Sequence, residues 1–95
     1  MSNQEKADRP GESGILVRCI FFARYAELLD CTELELGLAR GATVADVVDH
    51  VRARVPGGQR LPADPLVAKN QHHVNHDSIV EDGDELAFLP PLGGG

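Results

Sequence analysis

The 95-residue chain has few of the residues and segments that disulfide-stabilised, zinc-binding or membrane-spanning proteins require. It contains two cysteines, one tyrosine and no tryptophan. Cys19 and Cys31 form no disulfide framework, and their spacing matches no zinc motif. No apolar run approaches the roughly 18 residues of a membrane span, and the N-terminus has no hydrophobic signal core. We therefore expect one small cytoplasmic domain that folds around a hydrophobic core, with no metal site.

Basic residues are also scarce. Nine Lys and Arg residues face fifteen Asp and Glu residues, which gives a formal net charge of -6, and Lys6 and Lys69 are the only lysines. This balance excludes the basic stripe that nucleic acid or an anionic lipid surface requires. It favours a protein partner with a positive face and a salt-sensitive association.

The first apolar run, residues 15–22 (ILVRCIFF), predicts a central strand. Its β-branched and aromatic residues favour a strand, and both of its faces carry apolar groups. One face of such a strand packs against a helix. The other face is covered by further protein or binds a partner. The alternation places Val17, Cys19 and Phe21 on one face and Arg18, Ile20 and Phe22 on the other.

The next segments predict a short helical turn, a second strand and one long helix. Residues 23–30 lack alternation, whereas residues 31–38 (CTELELGL) alternate leucine inward and glutamate outward. Thr43 then precedes valines at the spacing of an amphipathic helix, and Asp46 completes a carboxylate variant of the capping box. Pro56-Gly57-Gly58 ends the helix, and the stretch through Pro62 and Pro65 reads as loop. The valines of the apolar stripe are Val44, Val47, Val48, Val51 and Val55.

The C-terminal third predicts three short strands. Residues 66–74 read as a strand, a turn and a strand near Val74, after which residues 82–84 (DGD) form a turn before a last strand, 85–89. A right-handed crossover through the helix makes the first and last strands parallel neighbours. The chain is therefore expected to be an α+β protein: a β-grasp (ubiquitin-like) mixed sheet on one main helix. We expect a disordered polar leader (1–14), the domain (15–92) and a flexible glycine tail (93–95).

The tail is the expected site of chemistry. Glycine has no Cβ, so Gly93, Gly94 and Gly95 can lie extended in a narrow channel of another protein. Together with Leu92 they reach about 13 to 14 Å at roughly 3.3 to 3.6 Å per residue. Glycine at a C-terminus is by itself more often a frayed end without a function. A functional tail is therefore favoured only because of the motifs that precede it.

Three motifs occur in a fixed order along the chain. Residues 21–29 read FFARYAELL, residues 82–91 read DGDELAFLPP, and residues 94–95 are a terminal Gly-Gly pair. In this order and at this length the chain resembles, from residue 15 to residue 95, the small subunit of molybdopterin synthase, a ubiquitin-like sulfur carrier of the MoaD and ThiS type.

The resemblance implies that the terminal carboxylate of Gly95, next to Gly94, is the reacting group. An ATP-dependent enzyme would adenylate it, a sulfur donor would convert it to a thiocarboxylate, and the large synthase subunit would use that sulfur to build the molybdopterin dithiolene. The carrier itself would bind no cofactor stably, and the catalytic residues would lie on the large subunit.

The residues before the tail are expected to bind partners. Ile20 and Phe22 would form an exposed apolar patch if the sheet face opposite the helix is uncovered, and such patches mark interfaces. We expect this patch to dock the large subunit. The remaining predicted partner-binding residues are Phe88, Pro90, Pro91, Leu92 and Gly93.

Other readings remain open at this point. His72, His73 and His76 with Asp77 could bind a metal, although a solvated edge strand is favoured because no second shell is evident. Cys19 and Cys31 read as core hydrophobes. The carrier could instead serve thiamine or cysteine synthesis. It could also be a ubiquitin-like modifier, which isopeptide conjugates would reveal, or a binding module with an inert tail.

Overall fold

The computed structural model describes residues 14–91, in which one mixed sheet packs on the longer of two helices. The elements are β1 (Gly14–Phe21), α1 (Ala23–Leu29), β2 (Glu33–Ala39), α2 (Val44–Arg54), β3 (Leu66–Lys69), β4 (His72–His73) and β5 (Glu85–Leu89), and a 3-10 turn (Gly58–Arg60) follows α2. The sheet order is β2-β1-β5-β3-β4, with β1 and β5 parallel and the other pairs antiparallel. The predicted α+β class, the β-grasp plan and the parallel terminal strands are confirmed.

β1 is a central strand because it pairs with β2 on one edge and β5 on the other, and every second residue is buried in the core. Ile15, Val17, Cys19 and Phe21 are all at most 3% exposed. The strand begins at Gly14, one residue before the predicted start. The rest of the predicted leader, residues 1–13, and the predicted tail lie outside the described residues.

α2 begins at Thr43 with the predicted capping box. The Thr43 Oγ1 accepts the Asp46 backbone N–H at 3.2 Å, and the Asp46 carboxylate accepts the Thr43 N–H at 2.9 Å. The valine stripe faces the sheet, and burial of each side chain of this size contributes about 1.5 to 3 kcal/mol. The four fully buried valines are Val44, Val47, Val48 and Val51.

The predicted helical turn is a seven-residue helix, α1, and it shortens the strand that follows. Asp30 adopts a left-handed conformation (φ 58°), and the Cys31 N–H donates to the Ala26 carbonyl at 3.2 Å. Because that N–H is used to finish α1, it cannot join the sheet. β2 therefore begins at Glu33, and the predicted start at Cys31 was two residues early.

β3 and β4 form the predicted hairpin. Asn70 and Gln71 are its two turn residues, and both have positive φ (50° and 77°), as a tight two-residue hairpin requires. The second strand is His72–His73, so it ends just before the predicted centre at Val74.

The Asp82-Gly83-Asp84 turn holds the start of β5 against β1. Gly83 has φ 88°, and its N–H donates to the Leu16 carbonyl at 2.8 Å. Asp82 accepts the Leu16 N–H at 2.8 Å, and Asp84 accepts the Glu81 N–H at 2.7 Å. Both carboxylates therefore have structural partners.

The segment predicted as loop after α2 contains the 3-10 turn. A Cβ at Gly57, which has φ 85°, would collide with the Leu28 carbonyl, and a Cβ at Gly58 would collide with the Val51 carbonyl. Because both glycines allow this close approach, the turn packs between α1 and α2, and Arg60 comes to lie near α1. Among residues 14–91 no helix is long and apolar enough to cross a membrane.

Candidate functional site at the foot of the tail

The tail leaves the domain from the middle of the sheet. β5 lies between β1 and β3, where Phe88 pairs with Phe21 on one side and Val67 on the other. Pro90 and Pro91 follow and have no N–H to donate, so the ladder ends there. The predicted reacting residues Gly94 and Gly95, and the predicted contacts Leu92 and Gly93, lie outside the described residues. The site that the structure describes is therefore the surface around Pro90 and Pro91.

An apolar patch lies on the sheet face opposite α2, at the end where the tail leaves. Phe22 is 45% exposed, Leu66 is 47% exposed and Ile20 is half-buried. The strand register brings Ile20 beside Ala87 and Leu66 beside Leu89. We call Ile20, Phe22, Leu66, Ala87 and Leu89 the sheet patch.

The sequence analysis identified Ile20 and Phe22 but missed Leu66, Ala87 and Leu89. Leu89 could have been found from the alternation in β5, because an inward Phe88 places Leu89 outward. Leu66 belongs to a different hairpin, and only the pairing of β3 with β5 brings it to the patch.

Phe88 requires a correction. It is fully buried, and its ring packs against that of Phe21 with centroids 5.1 Å apart. Its side chain therefore faces the core and is not available to a docking protein, contrary to the prediction that it binds a partner. Pro90 is half-buried and Pro91 is exposed, so both remain accessible.

Charged side chains border the sheet patch on the same sheet face. Arg18 lies 3.7 Å from Glu85 and 4.0 Å from Glu33, and Glu33 pairs with Ile20 of the patch. Arg18 and Glu33 are exposed and Glu85 is partly exposed, and such pairs contribute about 0 to 1 kcal/mol each. These charges therefore add little to stability and mark a border of the apolar patch.

A groove lies beside the same prolines, on the helix side of the sheet. It encloses about 570 Å³ and combines two arginines, Arg24 and Arg60, with apolar walls. Burial raises the pKa of the Tyr25 hydroxyl, and the nearby Arg24 opposes that rise. We call this the arginine groove; its lining residues are Arg24, Tyr25, Leu28, Arg60, Pro62, Pro90 and Pro91.

Neither cysteine has the low pKa of a nucleophile. Burial raises the pKa of Cys19 to about 12, and the core role predicted for it is confirmed. Burial and the neighbouring Asp30 carboxylate raise the pKa of Cys31, which is half-buried and packs against the core. At neutral pH both groups are thiols, and the thiolate is the reactive form.

The histidines do not share one strand face. His72 and His73 are exposed on the edge strand β4, as predicted, but the strand ends there and His76 lies in the following loop. The His76 Nε2 lies 2.8 Å from the Pro65 carbonyl and 3.6 Å from the Asp64 carboxylate. Within residues 14–91 no three His, Cys, Asp or Glu side chains are grouped as metal ligands.

The ThiS family model matches residues 19–95, which include β5, the prolines and the tail. The chain belongs to the ThiS family. A curated relative of this ThiS-family protein is the molybdopterin synthase sulfur carrier subunit of Escherichia coli (strain K12). The two are 34% identical over 82 residues, which cover 84% of this chain and 100% of the relative.

Solved structures share the fold of this ThiS-family protein. One is a Pyrococcus furiosus protein described as a candidate molybdopterin converting factor subunit 1, with a TM-score of 0.74 and 28% identity over 82% of this chain and 99% of that one. Another belongs to a complex of subunits 1 and 2 of the Helicobacter pylori molybdopterin-converting factor, with a TM-score of 0.62 and 20% identity over 85% of this chain and 100% of that one. The second likeness shows the fold alone.

Proposed function

We propose that this ThiS-family protein is the sulfur carrier subunit of a molybdopterin synthase and that the Gly95 carboxyl group carries the sulfur. The observation that carries the proposal is the 34% identity to the Escherichia coli sulfur carrier subunit over that protein's full length. The position of β5 supports the proposal. This strand is paired with a strand on each side, and the chain continues from it through Pro90 and Pro91 towards the glycines.

The tail carboxylate needs activation before it can accept sulfur. A terminal carboxyl group has a pKa of about 3.3 to 3.7, so at neutral pH it is an anion and a poor electrophile. An ATP-dependent enzyme would let one carboxylate oxygen attack the α-phosphorus of ATP, with pyrophosphate as the leaving group. A hydrosulfide ion would then attack the acyl carbon and displace AMP, and loss of the remaining S–H proton leaves a thiocarboxylate on Gly95.

The carrier contributes position rather than catalysis in this scheme. Its two thiols have raised pKa values, and Cys19 is buried, so neither is suited to attack the adenylate. Phe88 and Phe21 hold β5 in the core, so the point from which the tail starts is fixed. The bases and nucleophiles of each step would lie on the enzymes that receive the tail.

The large synthase subunit is the proposed partner of the sheet patch. Phe22 and Leu66 are nearly half exposed, and burial of such apolar surface drives association. The patch lies beside the prolines from which the tail starts, so a protein that encloses the tail would also cover the patch.

The test is the intact mass of the protein after incubation with its activating enzyme, ATP and a sulfur source. A gain equal to the replacement of one oxygen by one sulfur, absent when Gly95 is deleted, is the expected result. An unchanged mass with an enzyme that still consumes ATP would refute the proposal. Isopeptide conjugates through Gly95 in cells would point instead to a protein modifier.

A further inference from the structure

The arginine groove concentrates cationic side chains on a protein whose net charge is -6. Arg24 extends from α1 and Arg60 from the 3-10 turn, two elements that are distant in sequence. The 3-10 turn lies beside α1 because Gly57 has no Cβ, and any Cβ there would collide with the Leu28 carbonyl. The fold therefore places both cationic side chains on the lining of one groove.

The two guanidinium groups have no carboxylate partner in the described part of the chain. The ion pairs among residues 14–91 involve Arg18 and His76, not Arg24 or Arg60. The walls between them are apolar, from Leu28, Pro62 and the two prolines at the foot of the tail. A guanidinium group beside an apolar wall suits a carboxylate that is flanked by apolar groups, because the planar donors bind its two oxygens side by side.

A tail that is extended into the channel of a partner would hold its reacting end too far away to be the anion that this groove binds. A fully extended Leu92–Gly95 would place the terminal carboxyl group about 13 to 14 Å beyond Pro91, which itself lines the groove. An enzyme that acts on Gly95 therefore holds its nucleotide or pterin substrate well beyond Arg24 and Arg60. The surface that faces them belongs to the entrance of the channel that receives the tail.

The groove and the sheet patch flank the tail on two sides. Phe22 of the patch and Arg24 of the groove are separated by one residue, and Leu89 of the patch is followed directly by Pro90 of the groove. A partner that covers the patch and encloses the tail must therefore also pass over the groove.

We propose that the arginine groove binds a carboxylate-bearing segment of the large synthase subunit at the entrance to its tail channel. The inference rests on the proposed function, since it needs the large subunit as the partner. The apolar patch supplies buried area, whereas the two arginines fix the rotation of the carrier about its tail, because charge pairs set register and suppress wrong orientations.

The test is the affinity of the purified large subunit for the intact carrier and its variants. Arg24→Gln combined with Arg60→Gln removes two positive charges, and Arg40→Glu changes the net charge by the same amount at an exposed site outside the groove. We expect the double variant to raise Kd about tenfold or more at low salt and Arg40→Glu to change it by less than about threefold. The difference should shrink in 1 M salt, where the screening length falls to about 3 Å.

The other outcomes refute either the groove assignment or the proposed function. Equal affinities of the double variant and Arg40→Glu for the large subunit would overturn the groove assignment. In that case, binding and thiocarboxylation of the wild-type carrier would still support the proposed function. A double variant that binds the large subunit normally but loses the activating enzyme would also overturn it, in favour of that enzyme. A wild-type carrier that fails to bind the large subunit would refute the proposed function itself. Matching circular dichroism spectra and melting temperatures establish that the variants are folded.

Discussion

Phe21 of β1 and Phe88 of β5 lie directly opposite each other on parallel neighbouring strands, with ring centroids 5.1 Å apart and ring planes tilted by 51°. Tilted aromatic pairs at this separation stabilise a fold beyond the area that they bury. This contact joins the first strand to the last, so it fixes the strand from which the tail starts.

Replacement of Phe88 by alanine should lower the free energy of unfolding by about 3 to 5 kcal/mol, because it leaves a cavity in the hydrophobic core. Urea denaturation measures the change. Phe22→Ala is the matched control: Phe22 is 45% exposed, and its loss should cost about 1 kcal/mol or less. Equal costs for the two variants would contradict the different burial of these rings.

Phe22→Asp should abolish binding of the large subunit, because it places a charge on the most exposed aromatic side chain of the sheet patch. The fold and the thiocarboxylation of Gly95 should persist. Ile79→Asp is the control, since Ile79 is 50% exposed and lies outside the patch. Titration calorimetry reports the affinity, and unchanged binding by Phe22→Asp would rule out the patch as the docking surface.

Gly57→Ala should destabilise the protein by several kcal/mol, because Gly57 has φ 85° and a Cβ would collide with the Leu28 carbonyl. Gly41→Ala measures the cost of positive φ without a steric clash, because Gly41 has φ 91° but open space around it. This substitution should lower the free energy of unfolding by about 1 kcal/mol. Thermal unfolding compares the two. If Gly57→Ala proves as mild as Gly41→Ala, the packing of the 3-10 turn against α1 is not as tight as described.

Cys19 should make stability fall at high pH. Burial raises its pKa from 9.0 to about 12, so between these values the unfolded chain loses the thiol proton while the folded chain keeps it. The unfolded state then binds fewer protons, and the free energy of unfolding decreases as pH rises, by up to about 4 kcal/mol across the window. Well below pH 9.0 both states keep the proton, and this group no longer makes the stability depend on pH.

The measurement is the urea midpoint as a function of pH for the wild type and Cys19→Ala. The wild type should lose stability more steeply above pH 9.0 than the variant, which lacks the titrating group. Parallel curves would show that Cys19 ionises as readily in the folded protein as in the unfolded one.

Much of the fold could be predicted because local patterns and tertiary contacts agree here. The valine stripe after Thr43 has only one face to bury, and its capping box depends on residues three apart, so α2 was identified with its start. The β-branched and aromatic residues of β1 and the Asp82-Gly83-Asp84 turn before β5 likewise identified two strands. The start of β2 was misplaced because the Cys31 N–H is used by α1, a competition that alternation does not reveal.

The sequence by itself determined most of the elements and the motifs around the tail, since each depends on residues that are close together in the chain, and the crossover followed from the order of those elements. Only the tertiary structure decided which side chains gather around Pro90 and Pro91. Leu66 reaches the sheet patch through the pairing of β3 with β5, and Arg60 lines the same groove as Arg24 because Gly57 allows a close approach to α1. Phe88 was removed from the predicted interface for the same reason: burial depends on contacts between distant segments, and local periodicity cannot specify which of two apolar faces a partner will meet.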